Sequence, residues 1–269
     1  MSDTTQPLID LGGRVAMVTG AGQGAGRAIA LTLARHNAGG IAVNDFNLSR
    51  AQSVTDEIRA LGVPAVAVSA DVSDYDAVAH SFAEAADALG PATILVNNAG
   101  NAGPTQAMAA QPLFWEAPPS DWPMFLDTNL HGVLNCCHIA MPAMVEARWG
   151  RVISIISDSA RVGGARMAVY AAAKAGAGSL MRSLAQEGGR FGITANAISL
   201  STLRPPMTDE QLVDYLASDR GKAHLTPYAI RRFGEPEDVA GMAAFLCSGS
   251  AEWITGQTIP VNGGYSFSL

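Results

Sequence analysis

The chain has 269 residues, of which 48% are hydrophobic and 15% are charged, so it can bury a large core and is too apolar for intrinsic disorder. Its formal net charge of −7, without any cluster of Lys or Arg, argues against a nucleic-acid-binding surface. The N-terminus lacks the pattern of a signal peptide, and no apolar run reaches the roughly 18 residues that a membrane span requires.

Seven short apolar or β-branched segments alternate with alanine-rich helical patterns along the chain, such as 25–37 and 238–249. The segments are continuous apolar runs, which is typical of parallel strands that are buried on both faces. This alternation predicts an α/β fold, namely a three-layer doubly wound parallel sheet (Rossmann-like), in a single domain 1–269. The predicted strands are 14–19, 40–45, 64–70, 92–97, 151–157, 193–199 and 257–261.

Two longer segments, 101–123 and 200–232, interrupt this alternation. Each follows the carboxyl end of a predicted strand, where ligands bind in open α/β sheets. Long loops in that position are usually functional, so we expect lids over a substrate site. Simple packing excursions are the alternative.

A glycine-rich stretch at 19–26 follows the first strand and opens the first helical pattern. It does not fit G-x-G-x-x-G, because the third glycine is missing from either possible start. It fits T-G-x-x-x-G-x-G through Thr19, Gly20, Gly24 and Gly26. Gly20 would allow a sharp exit from the strand, and the later glycines would let the backbone approach a pyrophosphate at a helix N-terminus.

The segment 170–174 places Tyr170 and Lys174 one helical turn apart, on one face of a helix. The chain has only two lysines against fifteen arginines, so a lysine at this spacing is unusual for a merely solvated charge. An ammonium near a phenol favours the phenolate and lowers its pKa, as a general base for an alcohol requires. Ser157 lies thirteen residues before Tyr170, at the end of a predicted strand, although a hydroxyl there could also cap a turn.

These motifs, with 97–100 (NNAG), 231–240 and 254–264, have the order and spacing of the short-chain dehydrogenase/reductase family, which the chain resembles over nearly its whole length. The resemblance implies an enzyme that binds NAD(P) across the carboxyl ends of the strands. The implied catalytic residues are Asn129, Ser157, Tyr170 and Lys174. The implied cofactor-binding residues are Gly20, Gln23, Gly24, Ala25, Gly26, Asp45, Asp71, Val72, Asn98, Ala99, Gly100, Tyr170, Lys174 and Leu203.

Family members use these side chains in defined roles, which we expect here. Tyr170 would be the acid/base, and Ser157 would hydrogen-bond the substrate hydroxyl. Lys174 would hold the nicotinamide ribose, and Asn129 would hold a water that passes the proton toward solvent. An isolated asparagine in a helix is more often structural.

Asp45 predicts NAD rather than NADP as the cofactor. It ends the second strand, nineteen residues after Gly26, where a residue meets the adenosine ribose. A carboxylate there can accept both ribose hydroxyls and would repel the 2′-phosphate of NADP. Arg50 is the only cation close to it in sequence, and Arg27 would have to turn back. If Asp45 merely caps a turn, the preference stays open, and an NADPH-dependent ketone reductase is the second hypothesis.

The chain departs from the family's usual sequence at four positions. Leu200 and Ser201 replace a Pro-Gly pair, and Pro205 replaces a threonine near the nicotinamide. We therefore expect the geometry of the second lid and its contacts with the cofactor to differ from those of other family members. Asn262 stands where aspartate is common.

The expected function is NAD-dependent interconversion of a secondary alcohol and a ketone on a bulky apolar or alicyclic small molecule. Apolar loop residues motivate that choice, and three loop arginines leave a coenzyme A thioester or an acid open. A non-catalytic nucleotide-binding regulator is a third hypothesis, which a turnover assay would exclude. The apolar residues are Leu113, Phe114, Trp115, Trp122 and Met207, and the arginines are Arg161, Arg166 and Arg204.

Partners, compartment and metals complete the expectations. The resemblance implies a homotetramer, and the helices that follow Asp121 and Ala168 are rich in Ala and Met. We expect no nucleic-acid or membrane partner. Cys136, Cys137 and Cys247 fit neither a disulfide framework nor zinc spacing, so we predict a cytoplasmic protein without a metal site.

Overall fold

The computed structural model describes residues 7–101 and 111–267. Their strands form one seven-stranded sheet in which every pair is parallel, in the order β3-β2-β1-β4-β5-β6-β7. The predicted doubly wound α/β sheet is therefore confirmed. The strands are β1 (Val15–Val18), β2 (Gly40–Asn44), β3 (Ala65–Val68), β4 (Ile94–Asn97), β5 (Gly150–Ser157), β6 (Ile193–Leu200) and β7 (Thr258–Val261).

Helices cover both faces of the sheet, and each predicted strand is present with its ends moved by at most two residues. The helix predicted at 238–249 begins earlier, at Pro236, because proline is well tolerated at the first helical position. The helices are α1 (Gly24–Arg35), α2 (Leu48–Ala60), α3 (Tyr75–Leu89), α4 (Trp122–Leu126), α5 (Gly132–Ala147), α6 (Ser159–Val162), α7 (Ala168–Gly188), α8 (Asp209–Ala217), α9 (Asp219–Leu225) and α10 (Pro236–Cys247).

Side-chain alternation along the strands divides the core into two layers. On β1, Ala16 and Val18 pack into one buried cluster with α1 and α10, whereas Met17 packs into the other with α5 and α7. Successive strand residues point to opposite faces, and both faces here are covered, which explains the unbroken apolar runs in the sequence.

The strand order places the site. The order reverses between β1 and β4, and the carboxyl ends of strands open a crevice at such a switch point. The second predicted lid, 200–232, leaves β6 at this edge and contains α8 and α9. Of the first, 102–110 lie outside the described residues, and 111–126 run into α4. None of the described helices has the length and apolarity to cross a bilayer.

Candidate active site

The glycine loop turns tightly from β1 into α1. A Cβ atom on Gly26 would lie 2.3 Å from the carbonyl oxygen of Gly20, and Gly24 has a φ of +54°, so both positions require glycine. The helix N-cap is Gln23, which makes no side-chain capping bond, and the first turn contains no acidic residue. The positive end of α1 is thus available to an anion, as a pyrophosphate-binding turn requires.

Asn98 holds this loop against β4. Its Nδ2 donates to the carbonyl oxygens of Thr19 (3.0 Å) and Gly20 (2.9 Å). In return, Thr19 Oγ1 accepts from the backbone nitrogens of Asn98 and Ala99, each at 3.1 Å. These bonds explain why threonine and asparagine accompany the glycines, a cross-link between distant motifs that sequence spacing does not reveal.

Asp45 lies at the carboxyl end of β2 and is only 4% exposed. Its carboxylate accepts from the backbone N–H groups of Gly22 and Asn47, both at 3.0 Å. The bond from Asn47 shows that Asp45 caps the local turn, which was the alternative role for this residue. The bond from Gly22 ties Asp45 to the glycine loop as well. Arg27 does not turn back, because its guanidinium pairs with Glu57.

The residues predicted to bind the cofactor surround two adjoining cavities. Asn98 and Gly100 line both, so the two form a continuous groove. Gly26 lies buried beneath it, as its role in helix packing requires. The first cavity, of about 610 Å³, is lined by Gly20, Gln23, Gly24, Asp45, Arg50, Asp71, Val72, Asn98, Ala99 and Gly100, among others. The second, of about 230 Å³, is lined by Ala25, Asn98, Gly100, Ser157, Tyr170, Lys174 and Leu203, among others.

The end of β5 and one face of α7 bring Ser157, Tyr170 and Lys174 together at the second cavity. Burial raises the pKa of Tyr170, and its hydrogen bond with Ser157 acts in the opposite direction. Burial also lowers the pKa of Lys174 to about 8, and Nζ donates to the carbonyl oxygen of Ile155 at 2.9 Å. The net direction for Tyr170 is opposite to the expected lowering by Lys174, because desolvation of the phenolate dominates.

Asn129 lies in a single π-helical turn, 127–131, between α4 and α5. Its Nδ2 donates to the carbonyl oxygens of Asn101 (2.7 Å) and Phe125 (2.8 Å), and its Oδ1 accepts from the backbone nitrogen of Asn101 (3.1 Å). A Cβ atom on Gly100 would lie 3.0 Å from Lys174 Nζ and 3.1 Å from Asn129 Oδ1, so this glycine lies against both side chains.

A third cavity, of about 510 Å³, opens on the other side of Ser157 and Tyr170. It shares these two residues with the second cavity, so Ser157 and Tyr170 lie at the boundary between the two cavities. Part of the third cavity lies within the predicted second lid, 200–232, but sequence reasoning missed the walls outside that segment. The walls come from segments far apart in the chain. They include Ser159, Met167, Leu200, Ser201, Thr202, His224, Pro227, Tyr228 and Tyr265.

The apolar loop residues predicted to overhang the site are only partly there. Phe114 and Trp122 stack with ring centroids 6.0 Å apart and line a small cavity of about 50 Å³ beside Tyr170. Trp115 is 77% exposed. Leu113 and Met207 line neither this cavity nor the larger one.

The three loop arginines already have partners within the chain. Arg161 donates to Ser266 Oγ and lies 3.4 Å from Asp158, and Arg166 donates to the carbonyl oxygen of Gln111. Arg204 pairs with Asp209. These contacts weaken the expectation that they bind an anionic substrate group.

The sequence departures also have local consequences. Leu200 continues β6 and pairs with Val261 on β7. A proline at this position would have no backbone N–H to donate. Ser201 Oγ lies 2.5 Å from Tyr228 Oη, and this contact joins the two ends of the second lid at the wall of the third cavity. Within 7–101 and 111–267, no group of three or more His, Cys, Asp or Glu side chains is placed to hold a metal ion.

Comparisons with known proteins concern the chain as a whole. Residues 20–266 match the family model described as enoyl-(acyl carrier protein) reductase. The chain is 39% identical over 250 residues to 3-oxoacyl-(acyl-carrier-protein) reductase of Staphylococcus aureus, covering 93% of this chain and 96% of that one. It is 33% identical over 254 residues to 7alpha-hydroxysteroid dehydrogenase of Escherichia coli, covering 94% of each.

A solved structure is also similar to this chain over nearly its whole length. Gluconate 5-dehydrogenase from Burkholderia cenocepacia, in complex with NADP and tartrate, superposes with a TM-score of 0.85 at 28% identity, over 97% of this chain and 98% of that one. The matches to these relatives span nearly the full length of the chain. The chain belongs to the short-chain dehydrogenase/reductase family, whose members bind a nicotinamide cofactor and act as oxidoreductases on CH–OH groups.

Proposed function

We propose that this protein is an NAD-dependent oxidoreductase that interconverts a secondary alcohol and a ketone. The observation that carries the proposal is the meeting of Ser157, Tyr170 and Lys174 at the boundary between the cofactor groove and a separate substrate cavity. A hydroxyl carbon held there lies between a proton acceptor and the cofactor groove, as hydride transfer requires.

The glycine loop, the N-terminus of α1 and Asp45 fit a dinucleotide, and when bound its nicotinamide supplies the hydride acceptor. Ser157 and Tyr170 hydrogen-bond the substrate hydroxyl, and Tyr170 takes its proton in the oxidation direction. The buried ammonium of Lys174 stabilises the resulting phenolate. Asn129 orders the turn beside Lys174, because its side chain is committed to the backbone of Asn101 and Phe125. A water relay there would use a remaining lone pair or the backbone oxygen of Asn129.

The preference for NAD rests on Asp45, which lines the first cavity. Two backbone N–H groups hold its carboxylate in place. Its negative charge would oppose a 2′-phosphate at close range. Arg50 favours NADP, because it places a positive charge in the wall of the same cavity. Its guanidinium lies 5.8 Å from the ring centroid of Phe46, which is exposed. An NADPH-dependent ketone reductase is therefore the second candidate, and the NADP in the Burkholderia structure makes it worth testing.

The decisive measurement is kcat/KM with NAD and with NADP for the wild type, Asp45→Ser and Arg50→Ser. We expect a preference for NAD that Asp45→Ser weakens by at least about tenfold and Arg50→Ser leaves in place. If the wild type prefers NADP and Arg50→Ser removes that preference, the reductase is the right function.

For the substrate, we propose a bulky ring-containing alcohol or ketone. The third cavity has a volume of about 510 Å³ and is lined by Met167, Pro227, Tyr228 and Tyr265, which give it apolar and aromatic walls. A panel that sets cyclic secondary alcohols against short acyclic ones tests this. Equal kcat/KM for both groups would contradict it.

We also propose a homotetramer in a reducing, cytoplasmic environment. Leu134 on α5 remains 42% exposed, as a helix that faces a partner would leave it. Cys136, Cys137 and Cys247 are all free and buried, and burial raises the pKa of Cys137 and of Cys247 to about 12. Such thiols are unreactive and form no disulfide framework.

A further inference from the structure

A buried carboxylate that the proposed reaction does not use lies directly after Ser157. Asp158 is 2% exposed, and its backbone nitrogen donates to the carbonyl oxygen of Leu200 at 2.8 Å. Its side chain accepts from Ser199 Oγ at 2.6 Å. A charge in such a place is costly unless it is fully hydrogen-bonded, so its partners define what it does.

Arg161 Nη1 also lies 3.4 Å from Asp158 Oδ1, and two further partners, both on Oδ2, come from the end of the chain. Asn262 Nδ2 donates to Asp158 Oδ2 at 2.6 Å, and Ser266 Oγ donates to the same oxygen at 3.0 Å. Asn262 Nδ2 also lies 2.9 Å from the carbonyl oxygen of Ser266, while its Oδ1 accepts from the backbone nitrogen of Gly264 at 3.0 Å. One asparagine thus both closes the 262–266 turn and attaches it to Asp158.

The turn has little freedom to lie elsewhere. Gly263 and Gly264 have φ values of +62° and +75°, and a Cβ atom on Gly264 would lie 2.6 Å from Ala229 Cβ. The backbone nitrogen of Ile230 donates to the carbonyl oxygen of Gly263 at 2.8 Å. The turn therefore packs tightly on the 228–230 segment.

This turn carries Tyr265 into the wall of the substrate cavity, where its ring centroid lies 5.1 Å from that of Tyr228. We propose that Asp158 and Asn262 form a latch that positions Tyr265, and that Tyr265 determines specificity for bulky substrates. The inference rests on the proposed function, because it assigns the third cavity to the substrate. Asp158 is a positioning residue in this scheme, since it acts through Asn262 and Tyr265.

Variants that change the charge of Asp158 or Asn262 test the latch. Asn262→Asp places a carboxylate oxygen 2.6 Å from Asp158 Oδ2. Asp158→Asn replaces one of two acceptor oxygens by a donor, so either the donors from 262 and 266 or those from Ser199 and Arg161 lose their acceptor. Each variant should therefore loosen the attachment of the turn. The double variant Asp158→Asn with Asn262→Asp restores one hydrogen bond between an amide and a carboxylate in exchanged positions, although it lacks the donor from position 262 to the carbonyl oxygen of Ser266. Asp10→Asn is the matched control, because Asp10 Oδ1 accepts from Asn37 Nδ2 at 2.7 Å, remote from the site and exposed.

We expect each single latch variant to raise KM for a bulky cyclic alcohol about tenfold, with kcat changed less than about threefold. The double variant should have a lower KM than either single variant, and Asp10→Asn should leave KM unchanged. Tyr265→Ala should reproduce the KM effect, and it provides the test if a latch variant fails to fold.

Hydrogen exchange of the 262–267 amides supplies a readout that needs no substrate. Exchange should become faster in both single latch variants, recover in the double variant and stay slow in Asp10→Asn. Unchanged exchange in the single variants, or a double variant no better than either, would overturn the latch. If the wild type turns over no alcohol or ketone, the proposed function fails, while the exchange data still decide whether the latch exists.

Discussion

Lys174 gives the most quantitative prediction, because its two expected roles oppose each other. The side chain is 5% exposed, and burial lowers its pKa from the usual 10.5 to about 8. A buried ammonium serves the phenolate of Tyr170 but disfavours folding. Lys174→Met keeps an unbranched side chain that is one atom shorter and removes the charge, so we expect it to abolish turnover and to stabilise the fold at pH 7.

The magnitude follows from proton linkage. Between about pH 8 and 10.5 the unfolded chain binds more protons at this lysine than the folded chain does, so stability rises with pH across that window. The resulting penalty is about 3 kcal/mol at pH 7 and about 1 kcal/mol at pH 9.5. Losing the hydrogen bond to Ile155 costs about 1 kcal/mol. The variant should therefore gain about 2 kcal/mol at pH 7 and nearly nothing at pH 9.5.

Urea unfolding at pH 7 and pH 9.5 measures this difference, and comparison with the wild type at each pH cancels the titration of other groups. The matched control is Lys222→Met, which changes the only other lysine of the chain, on an exposed part of α9. It should shift stability by less than about 0.5 kcal/mol at either pH. A Lys174→Met variant that is no more stable than the wild type at pH 7, or equally stabilised at both pH values, would refute the reasoning.

Three further predictions concern the acid/base, the glycine loop and assembly. Tyr170→Phe should keep cofactor affinity, measured by fluorescence titration, and lose at least about 100-fold in kcat; retention of a tenth of the turnover would exclude Tyr170 as the acid/base. Gly26→Ala should abolish cofactor binding and lower Tm, because its Cβ would lie 2.3 Å from the oxygen of Gly20; unchanged titration would contradict the loop geometry. Light scattering at micromolar concentration should give the mass of a tetramer, and a monomer would disprove the assembly.

Local patterns in the sequence were sufficient to predict the scaffold and the shared helix face of Tyr170 and Lys174. Continuous apolar runs identify strands buried on both faces, and turn chemistry at Gly20, Gly24 and Gly26 identifies the loop between β1 and α1. The four-residue spacing places Tyr170 and Lys174 on one face of α7. These features follow from the regular geometry of helices and strands, which repeats over a few residues.

Contacts between distant segments, and the burial that they produce, were decided by the tertiary structure alone. The sequence suggested that Lys174 lowers the pKa of Tyr170, but burial reverses the net direction. It also suggested walls from both lids, whereas the third cavity takes no residue from the described part of the first lid and takes Tyr265 from a segment outside both.

Asn262, which the sequence left without a role, lies 104 positions from the carboxylate that it contacts. A local pattern reports which groups share a face of one helix or strand. It does not report which side chains lose contact with water or which distant segments meet, because both depend on how the helices pack on the complete sheet.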